Sequence, residues 1–216
     1  MAGVLHANAL CFAHDLSDLL NNTVCTGVRM KSVAAEPSRV VVGYGISRNQ
    51  LDATQGIGLT IGRKPPSAYL GVSYRLILDS SGRYLAVHSS FLGLFLDCQL
   101  QHALMHYDYE RDKGDGYPEA HLQVCADANV WNAMCDKRGA VRPLQRLHFP
   151  VGGRRYRPTL EDLIDFTISE GIADAHPQAG EHISRGRERF QEMQLRAAVR
   201  RNPEPAIAIL REIGHI

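Results

Sequence analysis

The segment Leu147–Asp162, LHFPVGGRRYRPTLED, gathers residue types suited to holding an anion. Gly152 and Gly153 permit a tight backbone turn whose N–H groups can approach a ligand closely. Arg154, Arg155 and Arg157 add forked donors that stay charged. Thr159 is a helix-start residue, and a helix start leaves free N–H groups and a partial positive charge. No acid occurs from Arg142 to Arg157, so Arg142 and Arg146 extend the basic stretch. A structural alternative competes with the anion site. In it the arginines pair with Glu161, Asp162 or Asp165, or with the acidic loop near Asp112 and Asp115, and only fix the helix in place. The stretch is not a P-loop, because no Lys-Ser/Thr follows the glycines. Gly56, Gly58 and Gly62 lack the spacing of a dinucleotide fingerprint and precede no convincing helix.

The histidines are the second set. His88, His102, His106 and His121 fall in segments rich in strand-forming residues. In an extended chain His102, His106, Asp108 and Glu110 share one face, because side chains alternate along a strand. His106 and His121 on neighbouring strands, with Arg111 beside them, could run acid–base cleavage of a phosphodiester. One imidazole takes a proton, the other gives one, and arginine holds the phosphate. Imidazole titrates near neutrality and suits that work. The same set could instead bind a metal through His102, Asp108 or Glu110, although no standard ligand motif occurs and no cofactor is expected. The plain alternative is that these are strand histidines bonded to their neighbours. Cys98 after Asp97, and Cys125 near His121, could each be nucleophiles, but a free cysteine usually behaves as a small buried hydrophobe.

These groups must be positioned by a sheet and a few helices. Apolar residues recur at helical spacing from His6 to Leu20. Arg39–Ile46 is a β-rich run, and a short strand is expected at Leu59–Gly62. Tyr69–Leu78 alternates like a half-buried strand, Asp79–Gly82 supplies a turn, and Arg83–Phe91 returns. Ala103–Glu110 and Ala120–Ala126 are further strands, and Leu144–Phe149 is an edge strand ended by Pro150. Ala128–Lys137 reads as a short helix carrying Trp131. Thr159–Glu170 is a helix with Asp162 at the capping-box position, Gly180–Arg201 is another, and Ala206–Ile213 adds a last turn or two after Pro203 and Pro205. The expected fold is therefore α+β. An antiparallel meander of about four to six strands carries an N-terminal helix and a C-terminal helical region. Residues 1–175 would form the α+β domain. Residues 176–216 would be a helical extension packed on that domain or on a partner.

Composition narrows the class. The 216 residues are 44% hydrophobic and 22% charged with a formal charge of +1, so no global field draws the chain to nucleic acid or membrane. Of the 24 basic residues only Lys31, Lys64, Lys113 and Lys137 are lysines. That bias matches a GC-rich genome, since Arg codons are GC-rich. The 5 cysteines, Cys11, Cys25, Cys98, Cys125 and Cys135, form no Cys-x-x-Cys pair, which excludes a disulfide framework or zinc ribbon and suggests reduced thiols. The N-terminus lacks a basic signal-peptide region, and no apolar run spans a bilayer. A cytoplasmic protein without a membrane partner is the expectation.

The run HFPVGGRRYRPTLEDLIDF resembles a segment of uncharacterised proteins from GC-rich, actinobacteria-like genomes. The resemblance covers about the last third of the chain and implies no activity or catalytic residue. Two functional expectations follow from the residues. One is a protein of a bacterial accessory or defence-type system that binds a phosphate-bearing ligand (RNA, DNA or a nucleotide), with His-dependent nuclease activity as its catalytic form. The other is a non-catalytic interaction module with a structural Arg cluster, which meets a protein partner through the C-terminal helices. The penultimate helix, rich in Arg185, Arg187, Arg189, Arg196, Arg200 and Arg201, serves either as a phosphate-tracking or partner-binding face or as a solvated surface.

Overall fold

Helix α1 spans Ala2–Thr23, and its helical spacing brings Leu5, Ala9, Ala13, Leu16, Leu19 and Leu20 onto one buried face. The structure is a computed structural model in which residues 2–62, 64–114, 118–126, 144–153 and 156–216 are described. The expected helix around Trp131 lies outside the described residues, as do Arg142, Arg154 and Arg155.

Among the described residues eight strands follow: β1 (Lys31–Glu36), β2 (Arg39–Gly43), β3 (Ile57–Leu59), β4 (Ala68–Leu78), β5 (Leu85–Phe95), β6 (Ala103–Glu110), β7 (Ala120–Val124) and β8 (Phe149–Pro150). They form one antiparallel sheet in the order β1-β2-β4-β5-β6-β7-β8, with β3 also paired to β4. The meander order is as expected. The strand count exceeds the expected four to six, and two of the shortest strands account for much of the excess. β3 has 3 residues and β8 has 2, too few for alternation to register in sequence. Both exist because a longer neighbour offers them an edge. The 11-residue β4 divides one edge between two partners, pairing Val40–Gly43 with its second half and Ile57–Leu59 with its first.

The β4–β5 hairpin turns on Asp79, whose Oδ1 accepts from the N–H groups of Arg83 at 3.2 Å and Tyr84 at 3.1 Å. Arg75 pairs with Ser89 but Leu76 pairs with Val87, so His88 is the extra residue of a β-bulge. Alternation then separates two faces. Val40, Val42, Leu70, Val72, Leu76, Leu92 and Leu94 point to the helices and form the core with α1. The other face carries Arg75, Ser89, His106, Asp108, Glu110 and His121, as the registers require.

Helix α2 (Leu160–Ser169) buries Leu160, Leu163, Ile164 and Thr167 against the first face. α3 (Ala179–Arg201) buries only Ala179 and Ile183, so its first turns join the core and the rest rides on the surface. α4 (Pro203–Glu212) begins on a proline, which suits the first turn of a helix, and has no buried residue. No described helix is long and apolar enough to cross a membrane.

Candidate functional site

The Gly152–Thr159 turn is built as tightly as its glycines allow. Gly152 has φ +55°, and any Cβ there would run into the Tyr156 carbonyl. The N–H groups of Tyr156 and Arg157 both donate to the Gly153 carbonyl, at 3.1 and 2.8 Å. These two donors therefore serve the turn itself and do not face outward. Thr159 and Asp162 form the capping box. The Asp162 carboxylate accepts from the Thr159 N–H at 2.8 Å and from its hydroxyl at 3.1 Å, so the chain supplies its own anion at this helix start. Arg157 lies with its guanidinium 4.4 Å from the centroid of the Tyr109 ring and 5.4 Å from that of Phe190. Cation–π contact with two aromatic groups places it on the helix-bearing side of the sheet.

Two of the carboxylates that could have paired with the turn arginines, Asp162 and Asp165, are met by a residue of α3. Arg187 of α3 donates to Asp162 at 2.8 Å and to Asp165 at 2.9 Å, which staples α3 to α2. Sequence reasoning grouped Arg187 with a general basic face. The available signal was the i, i+3 spacing of Asp162 and Asp165, which puts both acids on one side of α2.

The histidines lie on the opposite face of the sheet. Asp108 pairs across the ladder with His121, and its Oδ2 is 3.3 Å from His106 Nε2 and 3.7 Å from His121 Nε2. One carboxylate thus lies between two imidazoles. His121 is 5% exposed, and its Nδ1 makes no hydrogen bond. Burial holds the His121 ring below the ordinary histidine range, against the opposing pull of Asp108, and the nearby His148 and Lys113 add to the lowering. The Pro118 carbonyl also favours the charged form, without the geometry of a hydrogen bond. His121 is therefore neutral at pH 7.

A cleft of about 460 Å³ opens beside it, lined by Arg39, Arg75, His88, Asp108, Lys113, His121 and His148 among others. The His148 and His121 rings meet edge to face, with centroids 4.5 Å apart. Arg75 is paired with Asp52 at 2.6 Å, and Lys113 lies 3.4 Å from Glu110. Arg39 has only a 3.8 Å contact with Glu36, and its Nε is buried without a hydrogen bond.

The other expected residues are placed as follows. His106 stacks on Phe91 with centroids 5.3 Å apart, and its Nδ1 faces Cys125 Sγ at 3.8 Å. Arg111 donates from Nε to the Val87 carbonyl at 2.9 Å, bracing the bulge at His88. His102 precedes β6, is 76% exposed and contacts Asp97 at 3.1 Å, so it does not join His106. Among the described residues no group of three His, Cys, Asp or Glu residues is arranged to hold a metal ion. Sequence reasoning missed His148, Arg39, Arg75 and Lys113. Arg75 carried a signal, since it sits on the polar side of the alternating run Tyr69–Leu78. His148 had one only if the edge strand was assigned to β7.

Comparison of the chain with protein-family models, with curated proteins and with solved structures finds no match, so the cleft is read on its own chemistry.

Proposed function

We propose that the sheet face carrying His121 binds a phosphate-bearing ligand (RNA, DNA or a nucleotide) in the cleft beside that residue, and that His121 and His148 form an acid–base pair for phosphodiester cleavage there. One observation carries this reading. A buried, neutral imidazole stands edge-on to a second imidazole in a cleft whose walls bring Arg39, Arg75 and Lys113 together. A neutral buried histidine is suited to accept a proton, and a neighbouring imidazole can return one to the leaving group. Arg39, with its guanidinium least engaged by carboxylate, is the first phosphate contact. Asp108 orients the imidazoles on either side of it. Arg154 and Arg155 remain the sequence's own candidates for a further phosphate contact.

The test is titration of single-stranded RNA, single-stranded DNA and a nucleoside triphosphate, in low and raised salt, followed by a cleavage assay. Binding should weaken with salt, and Arg39→Ala with Arg75→Ala should reduce the log–log salt slope by about 1.4 for a single strand. His121→Ala and His148→Ala should each abolish cleavage with the fold retained. The rate should be bell-shaped in pH and indifferent to chelator. Absence of binding to all three probes at low salt would remove the proposal.

A second reading, a protein-interaction module, is favoured by the apolar surface of the C-terminal helix. Ile209 in α4 is 55% exposed and Ile213 just beyond it is 59% exposed, and contiguous exposed apolar side chains mark interaction sites. A gel-filtration mass above that of a monomer, lost on Ile209→Glu with Ile213→Glu, would support it.

A further inference from the structure

We propose that Cys125 is a nucleophilic thiol that accepts an acyl group, with His106 as its base and Asp108 as the carboxylate that positions the imidazole. Cys125 Sγ lies 3.8 Å from His106 Nδ1, and His106 Nε2 lies 3.3 Å from Asp108 Oδ2. Nucleophile, base and orienting carboxylate thus stand in the relation that activates thiols in general. The sheet fixes that order. His106 and Asp108 share one face of β6, and β7 lies alongside in antiparallel register with Met105 opposite Val124, so Cys125 emerges beside His106. Phe91 stacks on the imidazole and limits its rotation. His106 is 14% exposed, which shields it from water, whereas Cys125 is only partly buried and is a free thiol. Cys125 had been set beside His121 in the sequence. The register gives it His106 instead.

Burial raises the Cys125 thiol above its usual range, so at neutral pH the resting sulfur is a thiol rather than a thiolate. Proton transfer then accompanies attack. The Sγ–H proton passes to His106 Nδ1 as Sγ bonds to the acyl carbon of an activated ester or thioester. The carbon–oxygen or carbon–sulfur bond of the donor breaks, and the leaving group takes the proton from His106. The product is a thioester on Cys125, with no change of oxidation state. Among the described residues, the groups around His106 are Cys125 just past the end of β7, Gln123 opposite it in the ladder, Asp108 from its own strand with His121 beyond it, and the uncharged Phe91 from β5.

The full chain treated with p-nitrophenyl acetate tests this, with acetylation of each cysteine followed by mass spectrometry after proteolysis. Cys11 and Cys98 are exposed and serve as internal comparisons. Cys125 should acetylate at least about tenfold faster than either. His106→Gln should slow Cys125 alone by about a hundredfold, the size of a general-base contribution, with Cys11 and Cys98 unchanged. Acetylation of Cys125 no faster than that of Cys11 and Cys98, or unaffected by His106→Gln, overturns the proposal. Should His106→Gln fail to fold, the pH profile of the wild-type chain decides. A rate that levels off once the imidazole is neutral supports base assistance, and one that climbs tenfold per pH unit until the thiol ionises overturns it. Cys125→Ala should leave phosphate-ligand binding intact, so the two proposals stand or fall separately.

Discussion

Replacing Arg187 with alanine should cost the protein about 1–2 kcal/mol, far more than removal of any other α3 arginine with a surface pair. Its guanidinium meets Asp162 at 2.8 Å and Asp165 at 2.9 Å. An exposed ion pair contributes about 0.2–1 kcal/mol. Arg187 makes two, its side chain is 35% exposed, and its partners are 41% and 43% exposed, so each contact belongs at the upper end of that range. Removing the arginine also leaves two carboxylates three residues apart, Asp162 and Asp165, with their repulsion uncompensated. The comparison is Arg196→Ala on the same helix. Its pair with Glu192 is 68% and 60% exposed and contributes about 0.3–0.5 kcal/mol. Helix propensity changes equally in both variants, so the difference isolates the clamp. Urea denaturation should give Arg187→Ala about 1 kcal/mol less stability than Arg196→Ala, or a melting temperature lower by about 2–4 °C for a chain of this size. A double-mutant cycle with Asp162→Asn should return a coupling near 1 kcal/mol, reduced but not abolished in 1 M salt. If the two alanine variants differ by less than about 0.3 kcal/mol, the Asp162–Arg187–Asp165 clamp does not hold α3 to α2.

Three further outcomes are expected. Gly152→Ala should destabilise by about 1–2 kcal/mol, because an L residue at φ +55° is strained and its Cβ meets the Tyr156 carbonyl; Gly153→Ala, with open space around its Cβ, should cost less than half as much, and equal melting temperatures for the two would refute the turn geometry. Thr159→Ala should cost about 1 kcal/mol by loss of the hydroxyl in the capping box, and Asp162→Ala should cost more, since it removes both the box and the Arg187 contact; chemical denaturation with the reverse ranking would count against the box. Finally, His121 is held below its unfolded value of about 6.5, so the unfolded chain binds more protons in acid. The stability from keeping this ring neutral is complete above about pH 6.5 and is lost as pH falls through the lower folded value. His121→Gln should flatten that part of the stability–pH curve, and an unchanged slope between about pH 7 and pH 5 would show that the ring is not held neutral by burial.

The long elements are legible in the residues that form them. α1 and α2 declare themselves by apolar residues at helical spacing, and β4, β6 and the β4–β5 turn by alternation and by Asp79-Ser-Ser-Gly, because these signals are local and the residues that form the element also carry the pattern. The Gly152–Gly153 pair was legible as a turn, and Gly152 there has φ +55°, a conformation that favours glycine. Tertiary structure alone decided which groups meet. Arg157 and His121 stand on opposite faces of one sheet, a separation that depends on the path from β8 to α2 rather than on any spacing between them. β3 and β8 exist only as additions to a neighbour's edge. His106 faces Cys125, and His121 faces His148, because β6, β7 and β8 pair in a particular register. A shift of one residue would turn every one of these side chains to the helix side. Cross-strand pairing is set by burying Val40, Val42, Leu70, Leu92 and their neighbours beneath the helices, a cooperative choice made by the whole core and carried by no single segment of the chain.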